Sequence, residues 1–235
     1  MSEPLHTVLI PGLLCSARLY AEQLPVLWRL GSLSIADHRR DANLPAIARR
    51  LLASAPPRFA LVGLSMGGYI AFEVLRQAPE RVVRLALLDT TARGETAEQT
   101  RNRRTLIDLA QSGSFDQVPE RLFPLYVHRR RHSDSALRAL LRQMAEETGA
   151  DAFLRQETAI MNRPDSRPDL SAIACPTTVI VGDGDELTPP EVAHEIANGV
   201  PGAQLIEITD CGHLSSVEQP AQVSAALVEA LLGGV

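Results

Sequence analysis

The chain contains no lysine, and all 23 of its lysine-or-arginine positions are arginine. This absence excludes catalysis through a lysine Schiff base and phosphate binding by a P-loop lysine. The three cysteines are an odd number without short spacings, so we expect neither a disulfide framework nor a cysteine-rich metal site. Reduced thiols of this kind are typical of a cytoplasmic protein.

Long apolar segments and net positive charge are absent as well. No stretch approaches the roughly 18 consecutive apolar residues of a transmembrane helix, and the N-terminal segment has no basic region followed by an apolar one. The net charge of −5 creates no overall field that attracts nucleic acid or an anionic membrane. We therefore expect a cytoplasmic monomer or homodimer that binds neither of them.

Short apolar runs alternate with helical patterns along the 235 residues. This alternation is typical of a parallel sheet whose strands are joined by crossover helices. A first helix is predicted over residues 17–30, burying Leu24, Leu27 and Trp28. Further helices are predicted near 44–52, 66–77, 191–199 and 221–232. Strands are predicted at residues 6–10, 33–36, 59–64, 82–88, 177–181 and 204–208.

Between residues 93 and 167 the pattern changes to polar, arginine-rich amphipathic helices without a convincing strand. The sequence therefore predicts a doubly wound α/β fold with a mostly parallel sheet, formed by residues 1–92 and 168–235. Residues 93–167, called the insert below, form a helical insertion in the second half of that domain.

The segment Gly63-Leu64-Ser65-Met66-Gly67 is the clearest chemical signal. It is a G-x-S-x-G motif between a predicted strand and a predicted helix, the context of a nucleophile elbow. Such a turn presents the serine hydroxyl above the sheet edge, and the helix N-terminus favours negative charge beside it. Glycine-rich turns are often purely structural, but this placement favours a nucleophilic Ser65.

A serine hydroxyl needs a neighbouring base to become a strong nucleophile. Of the six histidines, only His213 follows a late predicted strand, so it lies at the carboxyl edge of the sheet. A carboxylate must then hold the imidazole in the correct tautomer. Four acids follow predicted strands and compete for this role: Asp183, Asp185, Glu186 and Asp89. Spacing alone favours Asp185 only modestly.

The chain resembles the α/β-hydrolase superfamily, specifically its small lidded serine esterases, over nearly its whole length. The segment GDGDELTPP (182–190) resembles the family's G-x-x-D-x-x-x-P segment, which implies Asp185 as the acid. The segment CGHLSSVEQP (211–220) resembles the family's G-H-x-x-x-x-x-x-P segment, which implies His213 as the base. The order of serine, acid and histidine also matches.

The segment IPGLLCSARLY (10–20) resembles the family's loop after the first strand, which usually reads His-Gly and an apolar residue. The resemblance implies that the backbone amides of Leu13 and Met66 form an oxyanion hole. Pro11 replaces the usual histidine, so the support of this loop must differ, and Leu14 or Cys15 could take the place of Leu13.

The resemblance implies a hydrolase of small to medium carboxylic esters that uses an acyl-enzyme intermediate and neither a metal nor a cofactor. The insert is expected to cover Ser65 as a lid. Thioester hydrolysis, carbon–carbon bond hydrolysis, cofactor-free perhydrolysis and a non-catalytic ligand receptor remain alternatives. The arginine run 129–131 is expected to be a solvated face, with contact to an anionic substrate as its alternative. Candidate pocket residues are Leu14, Tyr126, Met161 and Leu187.

Overall fold

Six parallel strands form one sheet in the order β2-β1-β3-β4-β5-β6. The computed structural model describes residues 5–232. All neighbouring strands are parallel, so the doubly wound α/β prediction is confirmed. The strands are β1 (Thr7–Ile10), β2 (Leu33–Ile35), β3 (Phe59–Leu64), β4 (Val82–Leu88), β5 (Thr177–Gly182) and β6 (Gln204–Ile208).

The central strands are apolar because both faces of the sheet are covered. Every residue of β1, β3 and β5 is buried, the pattern expected of parallel strands between two helical layers. The helices of the sheet domain are α1 (Leu24–Leu27), α2 (Leu44–Ser54), α3 (Met66–Gln77), α8 (Pro190–Gly199), α9 (Ser215–Glu218) and α10 (Pro220–Leu232). Helix α2 packs on α3, and α1 packs on α10.

The direction of the strand order reverses between β1 and β3. After β1 the chain moves outward to the edge strand β2, whereas after β3 it moves the other way, to β4. Open α/β sheets form their ligand sites beside the carboxyl ends of strands at such a reversal. The fold therefore brings the loop after β1 close to Ser65, the residue after β3.

The predicted helix over residues 17–30 is wrong. The structure has a 3₁₀ turn at Ala17–Tyr20 and only the short helix α1. Pro25 has no N–H to donate to the carbonyl four residues earlier and is tolerated best in the first turn of a helix, which is its place in α1. Trp28, predicted to be buried, is the C-cap of α1 and is 68 % exposed.

The insert forms four helices: α4 (Ala97–Gln111), α5 (Gln117–Tyr126), α6 (Ser135–Thr148) and α7 (Ala150–Met161). Helix α4 begins at a capping box in which Thr96 and Gln99 satisfy each other's backbone amides. Between β4 and β5, all of which is described, the chain contains no strand. In residues 5–232, no helix has the length and apolar character needed to cross a membrane.

Candidate active site

Ser65 alone connects β3 to α3, in a sharp turn. Its φ of 55° and ψ of −114° lie outside the ordinary regions for an L-residue, so the surrounding structure must maintain the strain. A Cβ on Gly63 would overlap the backbone of Gly67, and a Cβ on Gly67 would overlap the backbone of Ile10. The two motif glycines are therefore required by the close approach of β1 and α3 to this turn.

The serine, histidine and acid predicted from the sequence lie in one hydrogen-bonded chain. The Nε2 atom of His213 lies 2.8 Å from Oγ of Ser65, and its Nδ1 lies 2.8 Å from Oδ2 of Asp185. His213 and Asp185 are each 2 % exposed, whereas Ser65 faces a cavity. The arrangement gives the hydroxyl a base, and it gives that base a buried carboxylate partner.

The loop after β5 holds the Asp185 carboxylate firmly. Oδ1 accepts hydrogen bonds from the backbone amides of Leu187 (2.9 Å) and Thr188 (3.0 Å). Oδ2 accepts a further bond from the Thr188 hydroxyl at 2.7 Å. Thr188 thus orients the carboxylate toward His213, a role that the sequence analysis missed because no spacing rule marks it.

The three competing acids do not contact the imidazole. Asp183 accepts a hydrogen bond from the backbone amide of Cys211 at 3.1 Å, and Glu186 is exposed. Asp89 is fully buried and accepts bonds from the Gly182 amide and from the Ser215 hydroxyl. Burial, together with the nearby Asp185 charge, raises the pKa of Asp89 to about 8. Of the four acids, only Asp185 hydrogen-bonds to the imidazole.

Two backbone amides near Ser65 remain unused. Neither the amide of Leu13 nor that of Met66 donates a hydrogen bond to another residue of the described chain. Met66 is the first residue of α3, where a backbone N–H has no partner within the helix. The two neighbours of Leu13 are engaged, because Leu14 N–H donates to Gln156 and Cys15 N–H donates to Gly12.

The loop after β1 has its own support in place of the usual histidine. His38, which is buried, lies with Nε2 3.1 Å from the carbonyl oxygen of Gly12. Burial lowers the pKa of His38, so the ring remains neutral at neutral pH and donates through one nitrogen. Pro11 is therefore compatible with an ordered loop.

A cavity of about 150 Å³ lies above Ser65. This volume is below the roughly 300–1,000 Å³ of pockets for drug-sized ligands, so the space suits a small group. Of the four candidate pocket residues, Tyr126 and Leu187 line this cavity, whereas Leu14 and Met161 do not. One wall is polar and comes from α4, and the other lining residues are mostly apolar. The polar wall consists of Gln99, Asn102 and Arg103.

A larger cavity of about 650 Å³ lies elsewhere in the molecule. It is lined by Val82 and Val83 at the start of β4 and by Ile173 and Cys175 before β5. These positions belong to the amino ends of the strands, opposite the edge that carries Ser65. We therefore take the smaller cavity as the candidate active site, since Ser65 and His213 line it.

The arginine run 129–131 forms a 3₁₀ turn at the molecular surface. Arg130 pairs with Asp210, and Arg131 lies 3.6 Å from Asp134. Neither they nor Arg129 line the cavity above Ser65. An anionic substrate group at this turn therefore stays a hypothesis without a contact to the candidate site.

Comparison with known proteins gives the family. The model of the Alpha/beta hydrolase family matches residues 8–226. The chain belongs to this family. The hydrolase is 28 % identical over 221 residues to a pimeloyl-(acyl-carrier protein) methyl ester esterase of Chromobacterium violaceum, covering 90 % of this chain and 87 % of that esterase.

Solved structures confirm the fold. A thermophilic esterase from Thermogutta terrifontis superposes with a TM-score of 0.86 at 27 % identity, over 97 % of this hydrolase and 89 % of that chain. The enol-lactonase from Burkholderia xenovorans LB400 gives 0.89 at 22 % identity, over 99 % and 93 %, a likeness of fold alone. The chain is thus an enzyme with the alpha/beta hydrolase fold.

Proposed function

We propose that this hydrolase cleaves small to medium carboxylic esters through an acyl-enzyme formed on Ser65. The observation that carries the proposal is the continuous chain from the Ser65 hydroxyl through His213 to the buried Asp185, at the floor of a largely apolar cavity. The relatives named as esterases add independent support.

In the first half of the reaction, Oγ of Ser65 attacks the ester carbonyl while Nε2 of His213 takes the hydroxyl proton. Asp185 accepts a hydrogen bond from Nδ1–H, which leaves Nε2 free as the acceptor and stabilises the imidazolium that forms. The unused amides of Leu13 and Met66 then serve as donors to the oxyanion. His213 returns the proton to the departing alkoxide, and the alcohol leaves.

In the second half, water attacks the acyl group with His213 again acting as the base. The acid departs and Ser65 regains its proton, so no external reactant besides water is needed. Helices α4, α5 and α7 of the insert each contribute residues to the cavity wall. We infer that the insert acts as a lid, which limits the acyl group and excludes bulk water.

The first experiment is the hydrolysis of p-nitrophenyl esters of increasing acyl length. We expect the highest kcat/KM with short acyl chains, because the cavity holds only about 150 Å³. A burst of p-nitrophenol equal to the enzyme concentration would mark the acyl-enzyme wherever deacylation is slow. If the folded protein hydrolyses none of these esters, the ester proposal fails.

The pH dependence of kcat/KM tests the proposed base. Burial lowers the pKa of His213, but the charge and hydrogen bond of Asp185 outweigh it and raise that pKa above the ordinary 6.5. Only the neutral imidazole takes a proton, so activity is expected to fall as the pH drops, with a midpoint above 6.5. A midpoint at or below the ordinary value would contradict this assignment. The profile is measured with saturating and subsaturating ester.

A further inference from the structure

The peptide unit between Leu13 and Leu14 is held at both ends by the insert. Its carbonyl oxygen lies 3.3 Å from the Tyr126 hydroxyl, which donates to it. Its N–H donates to Oε1 of Gln156 at 3.2 Å. Tyr126 ends α5 and Gln156 lies in α7, so two separate helices of the insert hold one peptide unit of the sheet domain.

This peptide unit occupies the centre of a strained turn. The amide of Cys15 donates to the carbonyl of Gly12, which closes a four-residue turn over Gly12–Cys15. Leu14 has a φ of 59°, and Leu13 is not among the residues with positive φ. Positive φ at the third position alone is the feature of a type II turn, which favours glycine there. With leucine in that place, the turn needs outside contacts to persist.

The competing arrangement is a type I turn. It differs from type II mainly in the orientation of the central peptide, and it removes the positive φ at the third position. In that arrangement the Leu13 carbonyl and the Leu14 amide would point away from their present partners. The hydrogen bonds from Tyr126 and Gln156 therefore oppose this flip, one at each end of the peptide.

Gln156 carries a second sign of function. Its side chain is fully buried, and its Nε2 donates to no other residue of the described chain. A buried donor without a partner is unfavourable, so an apolar residue would suit the packing better. Glutamine makes one contact here that an apolar residue could not make, the hydrogen bond that its Oε1 accepts from the Leu14 amide.

We propose that Gln156 and Tyr126 are positioning residues that keep the Gly12–Cys15 turn in the form that aims the Leu13 amide at the oxyanion. The inference rests on the proposed function, since it assigns a task in that reaction. An oxyanion donor acts within a narrow range of distances of about 2.7–3.1 Å, so a turn that switches between two forms would lose the bond. The insert would thus contribute to catalysis as well as to the cavity wall.

The test replaces Gln156 with methionine, which keeps the length of the side chain and removes the acceptor. Complete loss of an oxyanion donor costs about 10²–10³ in kcat, so we expect a partial loss of about tenfold for Q156M, with little change in KM. Tyr126→Phe removes one hydroxyl and is expected to lower kcat by about threefold. Because both side chains hold one peptide unit, the double variant should lose less than the product of the two single losses.

A transition-state analogue separates positioning from general loosening of the insert. A trifluoromethyl ketone forms a tetrahedral oxyanion on the serine, and its affinity should fall by the same factor as kcat/KM in Q156M. The control is Glu147→Gln, because Glu147 of α6 also contacts the loop after β1, through Ser16 and Arg18, but does not contact the peptide unit. We expect wild-type kcat for this control.

Unchanged affinity for the ketone in a variant with lowered kcat would overturn the proposal, as would kcat within twofold of wild type in both single variants. If Q156M does not fold, Tyr126→Phe gives the same two readouts. The proposed function fails separately, through absence of ester hydrolysis by the wild type, whereas this inference depends on the ratio of variant to wild type.

Discussion

Replacing Ser65 with alanine is expected to lower kcat for ester hydrolysis by about 10⁶-fold, the size of loss that follows removal of a serine nucleophile in a triad. The variant keeps His213, Asp185 and the two backbone amides, so substrate still binds but no acyl-enzyme forms. The backbone strain at position 65 is the same for alanine as for serine, and the substitution removes only one oxygen atom from the edge of the cavity. We therefore expect the fold and the thermal midpoint to change little.

The matched control is Ser216→Ala. Ser216 is buried near His213 in the chain, and its hydroxyl has no partner among residues 5–232. It is also a serine-to-alanine change, but it leaves the proposed machinery intact, so its activity should equal that of the wild type. The measurement is the steady-state rate with p-nitrophenyl acetate, with circular dichroism to verify folding. More than one per cent residual activity in the purified Ser65 variant would remove Ser65 from the nucleophile role.

Buried strands and their connections could be predicted from the sequence because their signal is local. The strands β3, β4 and β6 and the helix α3 have the predicted bounds. The strands β3 and β4 are mostly buried apolar runs, whereas β6 is an edge strand in which only Ile208 is buried. Fully buried parallel strands must be apolar on both faces, so such runs are hard to confuse with surface segments.

The segment around α1 could not be predicted because its structure depends on distant partners. The Tyr20 hydroxyl donates to the carbonyl of Ile10, and the Gln23 side chain donates to the carbonyl of Ser216. These contacts fix the chain in turns where helical periodicity favoured one helix. Trp28, counted on the apolar face of that helix, therefore lies on the surface.

In the candidate site, too, local features could be predicted from the sequence and features that depend on distant residues could not. The elbow around Ser65 is local, so a motif of five residues predicts it. The support of the Gly12–Cys15 turn comes from Tyr126 and Gln156, which lie more than a hundred residues further along the chain. No spacing rule links these positions, and only the folded insert brings them together. The choice among the four acids likewise depended on a resemblance, since their spacing hardly separates them.

The choice of acid leads to the second large effect: Asp185→Asn is expected to lower kcat by about 10⁴-fold. The asparagine oxygen would accept the two amides that now donate to Oδ1, from Leu187 and Thr188. Its NH₂ group would then face Nδ1 of His213 as a donor. The imidazole would have to carry its proton on Nε2, where it could no longer accept the proton of Ser65.

The matched controls are Asp183→Asn and Asp89→Asn, measured with the same ester and over the same pH range. Asp183 accepts a backbone amide through one oxygen, which asparagine can also supply, so its variant should retain kcat within about threefold. Asp89 hydrogen-bonds to Gly182 and Ser215 rather than to the imidazole, so its variant should leave the orientation of His213 unchanged. If one of the controls loses 10⁴-fold in kcat while Asp185→Asn keeps a kcat close to that of the wild type, the acid replaced in that control is the one that orients His213. The opposite pattern would assign this role to Asp185, because only that carboxylate contacts Nδ1.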